Sequence, residues 1–376
     1  MDTNNPTSLQ HSTLFVISLK MCNVPEIYAL IKELDYNLHK NDLGKWEILS
    51  GKATRIISAF GIVQELEEKI LAVLRAITIE ISKWRYDHWK ILSPEINLSI
   101  VCWKSEGIID RLSTAISIIN CTDLDIKKKF VLACYYSLEN CILGLWDTMS
   151  SVNQDLVYEN YYSGIVRFWI LNKYRKTINW SKLARLYLNP LCLSNSTNYH
   201  DDSIWLRGFF DKLSPEEQLN CLSFTLQNTF EEHDNVHFSL SKININQHQE
   251  IFKNNPYQIL RLYLNWPLQS SFIKVANQLW AYLPEEQFCS LLYFILFYRI
   301  TCKWNDYDYI GLLRQFWQQS PDNFKEYAKE KTIFEAIKVV TKLHLIPIPK
   351  DVLEQKILET FLLEEVRCFH YHDYLI

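Results

Sequence analysis

The sequence predicts an all-α protein, an irregular, solenoid-like helical-repeat array of antiparallel helix pairs. Three observations carry this. Glycine occurs only 8 times in 376 residues, against roughly 25 at the usual ~7% usage. Sandwiches, barrels and doubly wound folds spend glycine on tight turns, bulges and phosphate loops, so such devices are scarce here. Proline is sparse as well: between Pro25 and Pro190 only Pro94 intervenes, leaving long stretches free to run as helix. Finally, a helix-ending phrase recurs through the second half of the chain, each time with a helix-starting phrase after it.

The first half reads as helices over 25–38, 63–84, 106–119 and 124–149. The clearest is 63–84, where Leu66, Ile70, Val73, Ile77, Ile81 and Trp84 recur every three or four residues and Glu65, Glu67, Glu68 and Lys69 take other faces. Ile77, Ile79 and Ile81 also alternate as a strand would, but the length and the lack of turn residues decide for helix. The polar stretch 148–155 (TMSSVNQD) is short and precedes a new amphipathic segment over 156–174, so it is the predicted hinge. It divides an N-terminal helical bundle, 1–150, separate from the array or continuous with it, from a helical-repeat region, 151–376.

Within that region RLYLNPL at 185–191 returns as RLYLNWPL at 261–268, and more loosely as KLHLIP at 342–347. The residue before proline is pushed out of the helical region, so each copy ends a helix. A second phrase follows in the same order: Leu213-Ser214-Pro215-Glu216-Glu217-Gln218, then Leu283-Pro284-Glu285-Glu286-Gln287. Proline is harmless at the first helical position, and the glutamates face the positive end of the helix dipole. Ser214 and Glu217 have the spacing of a capping box. The period, near 80 residues, suits two helical hairpins per unit, with units near 183–258 and 259–340 and a partial one over 341–376.

Chemistry is harder to find. Gly51-Lys52 and Thr54 echo a phosphate loop, but Trp46 stands where its first glycine belongs and Ala53 where its hydroxyl belongs. The pairs Glu216-Glu217 and Glu285-Glu286 lie on diverging helix faces, the wrong geometry for paired acid and base. Cys134 and Cys141 read as small buried hydrophobes. Two clusters have metal-ligand residue types: Glu231-Glu232-His233 with His237, read as an acidic connection, and Cys368, His370 and His372, at i, i+2 and i+4 in the stretch ending at Asp373 near the terminus, which lack a fourth partner. Catalytic residues, cofactor and metal are therefore all expected to be none. The apolar run 288–298 has eleven residues, short of the roughly 17–25 of a membrane span, and reads as a core helix. Ten cysteines without a C-x-x-C, and an N-terminal stretch without a basic start, point to a reducing compartment, cytoplasmic with the nucleus as alternative.

The charge map is more informative. Residues 160–200 hold no Asp or Glu, yet Arg167, Lys173, Arg175, Lys176, Lys182 and Arg185 alternate with Trp169, Tyr174 and Trp180, in a chain of net charge −4. Cations with aromatics can track phosphates and stack bases. The competing reading is neutralisation by 201–234, where eight acids meet only Arg207 and Lys212. In 82–90 (SKWRYDHWK), cations near a helix C-terminus suit the dipole and tryptophans suit the core.

Two resemblances complete the reading. Residues 283–304 share the Leu-Pro-acidic opening and Cys-Lys-Trp close of an F-box, which implies an adaptor. The stretch is shorter than an F-box, however, and its opening recurs at Pro215 without the close. Over most of its length the chain resembles a large multicopy group of arachnid all-helical proteins, through Gly107 to Arg111, Phe130 to Cys134, Leu145-Trp146, Asn265 to Ser270 and Asp306 to Ile310. That resemblance implies one helical array and lends no site residues. The expectation is a non-enzymatic helical scaffold for protein–protein interaction, with polyanion or nucleic-acid binding through 160–200 as the alternative. A protein is the expected partner, nucleic acid the second choice, and no membrane is expected.

Overall fold

The computed structural model describes residues 9–34, 43–89, 91–92, 98–105, 107–160, 164–188, 206–228 and 233–342. Among them the fold is all-α: 19 α-helices joined by turns and short 3-10 segments, no strand, and one isolated bridge between Trp103 and Ile109. No single described helix is long and apolar enough to cross a membrane, although the bent pair Ser12–Cys22 and Pro25–Glu33 passes by length and composition. The chain forms two compact units, each gathered from separate stretches.

The first unit takes 1–36, 77–225 and 232–248. It opens with α1 (Leu9–Cys22) and α2 (Pro25–Glu33) and includes the last part of α4 (Gln64–Asp87). Its centre is α6 (Ile126–Tyr135), buried without a break from Phe130 to Ser137. Helix α6 packs against α5 (Arg111–Asn120), α7 (Glu139–Thr148), α8 (Ser151–Asn160) and α9 (Gly164–Asn172). Asp110 and Asp125 start α5 and α6 by accepting from the backbone N–H of Ser113 and Lys127, at 3.1 and 2.8 Å. Helices α10 (Trp180–Leu188), most of α11 (Pro215–Asn228) and α12 (His233–Lys242) complete the unit.

The second unit takes 37–76, 226–231 and 249–376. It includes α3 (Leu43–Ala59), the start of α4, most of α13 (Ile245–Asn254) and α14 (Pro256–Tyr263). Its aromatic core is built by α15 (Phe272–Leu279), α16 (Glu285–Phe294), α17 (Tyr309–Gln319) and α18 (Asp322–Lys329), with α19 (Ile333–Lys342) alongside. Phe316 touches Phe272 at 5.0 Å, Phe288 at 5.1 Å and Trp280 at 5.2 Å between ring centroids. The apolar run 288–298 is a core helix, and it continues from α16 into a π-helix, Ile295–Thr301.

Two predicted helices differ in where they break or begin. The helix expected over 124–149 is two, α6 and α7. After α6, Ser137 enters the left-handed region at φ 54, Ser137 N–H donates to Cys134 O, and Leu138 N–H donates to Ala133 O. This is a Schellman closure made by serine where glycine is usual. The helix expected over 156–174 is helical to Asn160 and from Gly164 to Asn172, with 161–163 outside the described residues, and the one expected over 106–119 begins only at Arg111, after the Asp110 cap. The predicted hinge at 148–155 is a two-residue gap between α7 and α8, both in the first unit.

Where they are described, the repeated phrases mark the expected boundaries. Helix α14 ends at Tyr263, within the second copy of the stop, while the residues after Leu188 in the first copy and after Lys342 in the third lie outside the described residues. Helix α11 starts at Pro215 and α16 directly after Pro284. Ser214 and Glu217 close the capping box, Ser214 N–H donating to Glu217 Oε2 at 3.0 Å and Glu217 N–H to Ser214 Oγ at 3.4 Å.

Candidate functional site

The six predicted cations lie on α9, α10 and the turn between them. Helix α9 buries Ile165, Val166, Phe168 and Trp169, which leaves Arg167 and Leu171, one turn apart, on its exposed face. Helix α10 buries Leu183, Ala184 and Tyr187 and exposes Lys182 and Arg185. Its N-terminus is capped by Asn179, whose Oδ1 accepts from Lys182 N–H at 3.0 Å. The edge of Trp180 meets Trp169 at 6.1 Å between centroids, fastening the two helices as a hairpin. In the connecting turn Tyr174, Arg175 and Lys176 are all exposed.

Five of the six cations therefore reach solvent along one hairpin. Lys173 does not serve with them. Its Nζ lies 4.2 Å over the Trp146 ring and donates to Ile170 O at 2.7 Å, and burial lowers its pKa while Asp147 opposes the shift. The aromatics change role too. Trp169 is 1% exposed and cannot stack on a ligand. Tyr174 is 66% exposed, but its hydroxyl donates to Asp147 Oδ1 at 2.7 Å, which raises the phenol pKa.

Sequence reasoning missed Leu171, which is 66% exposed on the same face. Its signal was available: it stands four residues after Arg167, outside the apolar stripe of α9. Neutralisation by the acidic stretch is partial among the described residues. Glu217 lies close enough to Arg185 to feel its charge, and its carboxyl is held low first by a hydrogen bond from Ser181 and then by the Ser214 backbone. Asp211 pairs instead with Lys242 at 3.6 Å.

Two buried polar centres compete for attention. In the second unit Arg75 and Arg299 both lie against Trp304, with guanidinium carbons 4.3 and 4.8 Å from the ring centroid. Arg75 donates to Cys302 O and Lys303 O at 3.0 and 3.1 Å, and Arg299 to Leu264 O at 3.3 Å and Asn265 Oδ1 at 2.6 Å. Asp306 Oδ2 accepts from Gln269 at 2.7 Å and from Tyr309 at 3.2 Å. Burial lowers the Arg75 pKa to about 10 and raises those of Asp306 and Tyr309, with Arg299 opposing both increases. These guanidiniums are spent on main-chain carbonyls at helix ends, so the centre works as a clamp.

In the first unit His88 is buried between Trp84 and Tyr136, with ring centroids at 4.8 and 5.7 Å. A carbonyl can only accept, so His88 Nδ1 carries the proton donated to Trp84 O at 2.7 Å. Nε2 then accepts from the Tyr136 hydroxyl at 2.8 Å. Arg111, itself buried, pairs with Asp87 beside this network. Both ring nitrogens are saturated, which suits a neutral structural histidine.

The remaining chemical candidates resolve in part. Cys134 is fully buried and burial raises its thiol pKa well above the ordinary value, while Cys141 is half-buried. His233 begins helix α12 where the sequence suggested an acidic connection. Glu231, Glu232 and the terminal cluster from Cys368 to Asp373 lie outside the described residues. Among the described residues no group of three His, Cys, Asp or Glu is placed to hold a metal ion. No family model, curated protein or solved structure matches the chain.

Proposed function

We propose that this protein is a non-enzymatic helical scaffold, built from antiparallel helix pairs in an irregular array, that binds an anionic protein partner through the outer face of the α9–α10 hairpin. The observation that carries this is the exposure of Arg167, Arg175, Lys176, Lys182 and Arg185 on one hairpin, with Leu171 and Tyr174 exposed among them. Tyrosine and arginine around an apolar centre are the residues that concentrate binding energy at protein interfaces. Support for the non-catalytic part comes from the buried centres, whose donors already serve carbonyl groups of the fold. Support for the array comes from the stop at Tyr263 and from the starts of α11 at Pro215 and α16 after Pro284, each at its repeated phrase.

The second reading, a nucleic acid or other polyanion, draws on the same five cations. Leu171 favours the protein: a leucine side chain has no ring to stack on a base. The test is retention on heparin over a salt gradient, comparing the wild type with Arg175→Glu/Lys176→Glu. Both positions are exposed, so folding is untouched. The proposal expects retention of the wild type, steep loss with salt and little retention of the variant. Equal elution of the two proteins refutes it. Competition by single-stranded RNA as strong as that by an acidic protein of equal charge would transfer the site to nucleic acid.

A further inference from the structure

The second unit carries an exposed feature of opposite character. Helix α3 passes to α4 through Phe60-Gly61-Ile62-Val63, where Phe60 is 77% and Val63 69% exposed. The turn is held, not loose. Gly61 takes φ 68, a left-handed value that glycine adopts without strain. Phe60 N–H donates to Ile57 O and Gly61 N–H to Ser58 O, each at 3.0 Å. On the far side Leu66 and Glu67 N–H donate to Val63 O, and Ser58 Oγ reaches Glu67 Oε2 at 3.1 Å. Backbone and side-chain bonds thus fix Phe60 and Val63 pointing into water. A preorganised apolar tip loses little freedom when it docks.

Acid follows the tip directly. Residues 60–69 contain Glu65, Glu67 and Glu68 against Lys69, a net charge of −3 + 1 = −2. Residues 164–188 of the hairpin contain six cations and no acid, a net of +6. One surface is apolar with an acidic border and the other apolar with a basic border. Matching apolar centres and opposite borders are the ordinary terms of a protein interface.

We propose that the α9–α10 face receives the Phe60–Val63 turn of a second copy of this chain. Phe60 and Val63 cover Leu171 and Tyr174, while Glu65 and Glu68 meet Arg175 and Lys176. This rests on the hairpin being the binding face and names its partner. The two surfaces differ, so the contact is heterologous: each copy offers one tip and one face, and association continues past the dimer unless a ring closes.

The experiment is sedimentation velocity at low salt, from micromolar to hundreds of micromolar protein. The wild type should grow in mass with concentration and return to monomer as salt screens the borders. Two variants separate the halves: Arg175→Glu/Lys176→Glu removes the face, and Phe60→Ser/Val63→Ser removes the tip. Each should stay monomeric alone, with association weakened about tenfold or more. An equimolar mixture restores one tip and one face, so it should form a dimer and stop there. A wild type that remains monomeric, variants that associate like the wild type, or a mixture that stays monomeric overturns the proposal. A monomeric wild type that heparin retains, while the face variant flows through, leaves the binding face standing and removes only its partner. If neither is retained, both readings fall.

Discussion

Replacing His88 with glutamine should change how the stability of this protein depends on pH. His88 is buried, donating to Trp84 O and accepting from the Tyr136 hydroxyl. Its pKa is pulled down to about 4, first by burial and then by the Arg111 charge, with Asp87 opposing. In the unfolded chain the same imidazole titrates near 6.5. The folded value is the lower one, so the unfolded state takes up the proton first. The stability of the neutral ring is fully present above about pH 6.5 and is lost as pH falls toward 4. One unit corresponds to about 1.36 kcal/mol, so between pH 7.5 and pH 5 the loss from this one group is about 2 kcal/mol. Urea unfolding of the wild type and His88→Gln at several pH values isolates it, because every other group titrates in both. At pH 7.5 the variant should be the less stable by about 1–3 kcal/mol, from one or two broken buried hydrogen bonds. By pH 5 that gap should shrink by about 2 kcal/mol. Stabilities that fall in parallel would show that His88 is not held neutral by the fold, and the argument would fail.

Two further substitutions test how the helices end. Ser137→Gly should stabilise the protein by about 0.5–1 kcal/mol, because it relieves a left-handed serine at some entropic cost in the unfolded chain; thermal unfolding measures it. The serine hydroxyl, buried without a hydrogen-bond partner among the described residues, is lost at no cost. Arg299→Met should destabilise by about 3 kcal/mol or more, since it takes the donors from Leu264 O and Asn265 Oδ1 and leaves the buried Asp306 with Arg75 as its remaining guanidinium. The deficit should narrow at low pH, where Asp306, already raised by burial, can take a proton.

Much of the fold was legible because helix content and helix ends are local properties. Glycine scarcity excludes the turn-rich classes, and proline acts on its own neighbours, so the stop at Tyr263 and the start at Pro215 could be read directly. The break at Ser137 could not, because serine there does what sequence rules assign to glycine. The π-helix at Ile295–Thr301 also has no local signal, since the apolar run continues through it. For the binding face, charge was legible and burial was not. Nothing beside Lys173 foretells that Trp146, far back in the chain, will take its ammonium, nor that Trp169 turns inward.

The shortage of glycine that identifies the fold also leaves a structural problem, and arginine solves it. Every helix ends with carbonyl groups that lack an intrahelical partner, and a left-handed glycine commonly closes that end. Arginines from elsewhere in the chain donate to carbonyls of this kind, in one case as a second donor, since Ile31 O already accepts from Leu34 N–H at 3.2 Å. Arg85 reaches Ile31 O in the last turn of α2, at 3.1 Å. Arg299 reaches Leu264 O at the end of α14, Arg75 reaches Cys302 O and Lys303 O after the π-helix, and Arg314 reaches Val340 O in α19. A cation there also meets the negative end of the helix dipole, so charge and hydrogen bond act together. This explains why Arg75 and Arg299 can lie against each other's aromatic neighbours in a buried place: each is held by carbonyl oxygen, and one aspartate suffices for two guanidiniums. It also separates the chain's basic residues by purpose. Cations that close helices are buried or half-buried and bonded to the backbone, whereas Arg175, Lys176 and Lys182 are exposed, and the described structure gives their side chains no carboxylate partner. Among the described residues the second group closes no helix and pairs with no carboxylate, and that is the strongest physical reason to look for its work outside the fold.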